Sequence, residues 1–149
     1  MPAFRRILIA TDGSAPSRKA VKAGVAFAKS VGASVTAYHA LEAIPGYAMG
    51  DGGGLVPSAF EALEKQARAE AERHLARVAK AAKAAHVPCE AYITRPGTAY
   101  RGIVDAARKK KCGLIFMGSH GRGGFASLIL GSVALKVLSH AKVPVVVYR

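Results

Sequence analysis

The chain has 149 residues, the length of one domain, and can bury roughly 70% of its unfolded surface without a disulfide or metal staple. Its 51% hydrophobic content excludes a disordered chain, and no apolar run approaches the roughly 20 residues of a membrane span. The formal net charge of +13 raises a polyanion as partner, but residues 1–75 hold 9 basic and 7 acidic side chains, whereas residues 76–149 hold 13 and 2.

Ile7-Leu8-Ile9-Ala10 reads as a first strand, closed by the turn Thr11-Asp12-Gly13-Ser14. Ser14 or Ser17 caps the helix that follows, whose Val21, Gly24, Val25, Ala28 and Val31 recur at helical spacing before Gly32 ends it. Ser34 to Ala40 is a second strand. Residues 42–57, with Gly50-Asp51-Gly52-Gly53-Gly54, read as a long loop. A long helix runs from Ser58 to about Ala85, with a buried stripe expected at Phe60, Leu63, Ala67, His74, Leu75, Val78 and Ala82. Its acids come early and its bases late, which suits the helix dipole. Pro88 to Thr94 is a third strand. Thr98 to Lys111 is a helix with Lys109-Lys110-Lys111 in its last turn, and Leu114 to Met117 is a fourth strand. Beyond a glycine-rich turn, Leu130, Val133, Ala134, Val137 and Leu138 form a helical stripe, and Val143 to Tyr148 is a fifth strand. Apolar strands alternating with amphipathic helices specify an α/β fold with a parallel sheet covered on both faces. Right-handed crossovers then give a doubly wound, five-stranded Rossmann-like sheet of expected order 3-2-1-4-5.

In such a sheet ligands bind beyond the carboxyl ends of the strands at the point where the order reverses. Two segments meet there: Ala10-Thr11-Asp12-Gly13-Ser14, and the turn that begins Gly118-Ser119-His120-Gly121-Arg122-Gly123-Gly124 and reaches Gly131-Ser132. Its glycines let backbone N–H groups approach an anion closely. The next helix adds its N-terminal N–H groups, and Arg122 a fixed positive charge. A phosphate is the natural guest. No G-x-x-x-x-G-K-[ST] is present, which excludes a Walker loop. The local G-x-G-x-x-A at Gly121–Ala126 follows the wrong strand for a dinucleotide fingerprint, and no acid lies beyond Asp105 to hold a ribose.

Gly118-x2-Gly121-x9-Gly131-Ser132 resembles the ATP-binding signature of the universal stress protein family, G-x2-G-x9-G-[ST]. The resemblance spans the chain, from Ile7–Ser14 through Leu114–Gly118 to Val143–Val147. It implies one domain over 1–149 that binds ATP between strands 1 and 4. Thr11 and Asp12 then flank the adenosine end, with Ala10 also in the site, and Ala40 lies against the base. Met117 and Gly118 fall near the ribose. Gly121, Gly131, Ser132 and Val133 line the phosphates, with His120, Arg122 and Gly123 in the same loop. Magnesium or manganese can bridge the phosphates without direct protein ligands. One departure is Cys112-Gly113-Leu114 before strand 4, where the family often has an Asp; it lies at the strand end away from the site. The implied role is a nucleotide-dependent regulatory or stress-survival module.

Catalysis finds little support. There is no G-x-S-x-G elbow, and the five histidines show no metal spacing. Asp12 can hold a metal through water, orient a ribose hydroxyl or cap its own turn, and His120 can touch a phosphate or face solvent. Slow ATP hydrolysis is one alternative, and a polyanion or nucleic-acid module is another. The second lacks the interleaved aromatics of a stacking platform. Cys89 and Cys112 read as reduced thiols of a cytoplasmic protein. The apolar edge Val143–Tyr148 calls for pairing with a second copy, hence a homodimer.

Overall fold

The computed structural model describes residues 4–44, 57–121 and 129–149. In chain order the elements are β1 (Arg6–Ala10), α1 (Ala15–Val31), β2 (Ser34–Ala40), α2 (Pro57–Ala84), β3 (Cys89–Thr94), α3 (Ala99–Lys109), β4 (Leu114–Gly118), α4 (Ser132–His140) and β5 (Val145–Tyr148). The strands form one sheet of order β3-β2-β1-β4-β5, and every pairing is parallel. The expected topology is therefore the observed one.

Alternation along the strands divides the core in two. Ile7 and Ile9 of β1, Val35 and Ala37 of β2 and Leu114 and Phe116 of β4 point to the face covered by α1 and α2. Leu8, Tyr38, Ile115 and Met117 point to the face covered by α3 and α4. Ile7, Leu8 and Ile9 are wholly buried, each contributing about 1.5–3 kcal/mol of transfer free energy. The edge strand β3 is only partly covered.

Ser14, not Ser17, caps α1, its side chain accepting from the Ser17 N–H. Helix α2 departs from the expected stripe. Only Ala71, Leu75, Val78 and Ala82 are buried, while Phe60 and Leu63 remain 45% and 41% exposed. A helix of 28 residues is about 42 Å long at 1.5 Å per residue, and its first turns overhang a sheet whose longest strand, β2, has seven residues. Ala67 and His74, expected in the stripe, border a cleft instead.

The lysine run straddles the end of α3: Lys109 closes the helix, Lys110 caps it and Lys111 has φ +54. Lys110 pairs with Glu90 at 3.3 Å, and Arg6 reaches the same carboxylate at 3.5 Å. Cys89 and Cys112 are free, and burial pushes both thiols up. Cys112 and Gly113 lie at the end of β4 remote from the cleft, where the Gly113 N–H donates to the Arg6 carbonyl. No described helix is long and apolar enough to cross a membrane.

Candidate functional site

The order reverses at β1, with β2 on one side and β4 on the other. Beyond the carboxyl ends of β1 and β4 lies a cavity of about 550 Å³, well inside the range of small-molecule sites. The structure brings Ala10, Thr11, Asp12, Ala40, Met117, Gly118, His120, Gly121, Gly131, Ser132 and Val133 to its walls. Arg122 and Gly123 lie outside the described residues.

The β1 wall is held by its own side chains. The Ser17 hydroxyl donates to Thr11 Oγ1 at 2.7 Å and accepts from the Asp12 N–H at 3.1 Å. Asp12 Oδ1 accepts from the Ser14 N–H at 2.9 Å. The carboxylate thus does cap its own turn. Thr11 is tied to β2 as well, its N–H donating to the Tyr38 carbonyl at 3.0 Å. The Thr11 carbonyl accepts from His39 Nδ1–H at 2.8 Å, and because a carbonyl only accepts, this bond fixes the Nδ1–H form of the ring.

The β4 wall is built from backbone and small residues. The Gly131 N–H donates to the Ser119 carbonyl at 2.6 Å. A Cβ on Gly131 would stand 3.0 Å from that oxygen, and one on Gly121 would stand 2.6 Å from Asp12 Oδ2. Gly131 thus sits tight against backbone, whereas at Gly121 the neighbour is the end of the Asp12 side chain. Gly131 is the N-cap of α4 and makes no side-chain cap. The first N–H groups of that helix have no intrahelical acceptor and, with the helix dipole, favour an anion at the cleft. Ser119 Oγ and His120 Nδ1 share a hydrogen bond of 3.0 Å.

Several residues that line the cleft were not expected at the site. Tyr38, Leu41, Ala99 and Ile103 supply apolar wall, and Ala67, Glu70 and His74 come from α2. Glu42 and Glu70 also border the cavity. Tyr38 is buried, which raises its pKa against the lowering effect of its 2.6 Å hydrogen bond with Thr94, so the phenol stays neutral. The His39 and His74 rings stand 5.5 Å apart. The approach of α2 to the β1 turn is a tertiary fact, and only the long-range fold reveals it.

The chain matches the universal stress protein family over residues 3–149. It is 36% identical over 147 residues to a universal stress protein of Thermus aquaticus, covering 98% of this chain and 99% of that one. Among solved structures, a universal stress protein in complex with cAMP superposes with a TM-score of 0.73 at 21% identity, covering 99% of this chain and 98% of the other. The Archaeoglobus fulgidus universal stress protein in complex with dAMP gives 0.64 at 21% identity over 100% of both chains. By sequence and by fold, this chain belongs to the universal stress protein family.

Proposed function

We propose that the chain binds ATP in the cleft between β1 and β4 and acts as a nucleotide-dependent regulatory or stress-survival module. The observation that carries this reading is the cavity of about 550 Å³ at the reversal of strand order, with the N-terminus of α4 and the closely packed Gly121 and Gly131 on one wall. Thr11, Asp12 and Ala40 hold the adenosine end, and Met117 and Gly118 adjoin the ribose. Gly121, Gly131, Ser132 and Val133 line the phosphates, joined by His120. Relatives of the same fold complexed with cAMP and dAMP support an adenine nucleotide as the class of ligand. Among the described residues no three His, Cys, Asp or Glu side chains cluster as metal ligands. Magnesium or manganese would be held chiefly by the phosphates.

With the β1 carboxylate engaged in its own turn, the module binds rather than rapidly hydrolyses its nucleotide. Mass spectrometry of the heat-denatured purified protein tests the reading. Released ATP is the expected result, and its absence from protein that also fails to take up added ATP contradicts it. Phosphate release above that of Ser132→Ala would add slow hydrolysis.

The chain is further proposed to be one cytoplasmic domain that pairs as a homodimer. The outer edge of β5 has no strand partner among the described residues. Beside it Leu135 and Leu138 of α4 and Tyr148 are 55%, 43% and 40% exposed, an apolar surface suited to a second copy. Light scattering at micromolar concentration should give twice the chain mass; a monomer mass counts against the pairing. Nucleic acid is not favoured, since the sequence lacks the interleaved aromatics of a stacking platform.

A further inference from the structure

A second groove, of about 320 Å³, runs between α1 and α2 on the other side of the β1 turn. Arg18, Val21 and Lys22 line it from α1, and His74, Arg77, Val78 and Ala81 from α2. These are the i, i+3, i+4 and i+7 positions that place side chains on one helix face. Val21 and Val78 make a buried apolar floor, being 7% and 1% exposed. Arg18, Lys22 and Arg77 are exposed and supply three cations, while no carboxylate lines the groove.

The charge is local to the groove. Residues 1–75 carry 9 bases against 7 acids, yet this face gathers bases alone. The ion pairs among the described residues use Arg6, Arg68, Arg95, Arg108 and Lys110. Arg18 instead donates from Nη1 to the Gly13 carbonyl at 3.0 Å, which leaves the rest of its donor fork for an acceptor.

The groove is separate from the nucleotide cleft but touches it. Gly13 has φ +79, and a methyl there would overlap the His74 ring. The absence of a side chain at Gly13 lets His74 pack against the turn. Thr11 and His74 border both cavities.

We propose that this groove binds a small anionic amphiphile: one carboxylate or phosphate head on a short apolar body. The head meets the cations of Arg18, Lys22 and Arg77, and the body lies over Ala81 above the buried Val21 and Val78. A wholly polar anion would leave that floor unused, and a cationic amphiphile would meet like charge. A ligand there presses on the same turn and the same imidazole that wall the cleft. The inference does not depend on what the cleft binds.

Amide chemical shifts recorded on the whole protein during titration with decanoate test it. The expected result is saturable perturbation centred on residues 18–22 and 77–81, with decyltrimethylammonium giving none. Lys22→Glu with Arg77→Glu should weaken decanoate by at least roughly tenfold. Both sites are exposed, so the unfolding temperature should hold. Ala81→Leu, which fills the floor at constant charge, should weaken it as well. No binding at millimolar decanoate overturns the proposal. So does perturbation centred on 118–121 and 131–133, equal binding of the cationic amphiphile, or affinity unchanged in both variants.

Discussion

The turn after β1 commits its side chains to itself, whereas the turn after β4 offers backbone to the cleft. Thr11, Asp12, Ser14 and Ser17 satisfy one another in a run of hydrogen bonds of 2.7–3.3 Å. Across the cleft, Gly118, Gly121 and Gly131 carry no side chain, and the N-cap of α4 adds none. The difference assigns the two walls different work. The β1 turn is a fixed rim whose disruption is felt as stability. The β4 wall, small residues beside the N-terminus of α4, is the one whose disruption is predicted to be felt as binding.

The largest effect that can break this contrast is Gly131→Val. Its Cβ would lie 3.0 Å from the Ser119 carbonyl and 3.3 Å from His120 Cα, wedging α4 away from the β4 turn. Binding of a fluorescent ATP analogue should weaken by more than about a hundredfold. A near-wild-type constant would mean that the β4 backbone is not the binding surface. Next is Gly13→Ala, which combines a positive φ, costing roughly 1–2 kcal/mol, with overlap of His74, costing roughly 1–3 kcal/mol. A urea midpoint equal to that of the wild type would show the rim to be pliable.

Ser17→Ala should cost about 1–2 kcal/mol, because Ser17 is 4% exposed and serves two partners. Ser14→Ala should cost about 1 kcal/mol as a lost helix cap. The double variant should fall short of their sum, since both serve one turn; full additivity in urea denaturation would deny the network.

The smallest effect belongs to the far end of the sheet. Partial burial raises the Glu90 pKa, but hydrogen bonds from Thr36 and Lys110, with the charges of Lys110 and Arg6, outweigh it and hold the carboxyl below its usual value. A lowered folded pKa contributes stability above the unfolded pKa and loses it as pH falls through the folded one. Glu90 is 43% exposed, so less than about 1 kcal/mol is at stake. Glu90→Gln should therefore lower stability slightly at neutral pH and converge with the wild type in acid; a constant difference across that range would assign the effect to packing.

The alternation of apolar runs and helical stripes made the element order and the strand order legible, because parallel strands and right-handed crossovers leave few other arrangements. The spacing of Gly118, Gly121, Gly131 and Ser132 pointed to the β4 wall for the same reason that close approach requires glycine. Periodicity says which face of a helix is apolar but not where the sheet beneath it stops, so Phe60 and Leu63 were expected inside and lie exposed. Cleft residues from α2 stayed hidden: Glu70 looked like a dipole acid and His74 like part of a stripe. Their place depends on the angle at which α2 crosses the β1 turn. The choice between Ser14 and Ser17 as cap likewise turned on a contact, Ser17 being occupied by Thr11.

Calorimetric titration of ATP into the wild type and Gly121→Val tests the central claim most directly. A Cβ at this position would stand 2.6 Å from Asp12 Oδ2, where the two walls meet. The predicted result is saturable sub-millimolar binding to the wild type and none to a variant that unfolds at nearly the same temperature. No binding to the wild type, or equal binding by both proteins, would contradict it.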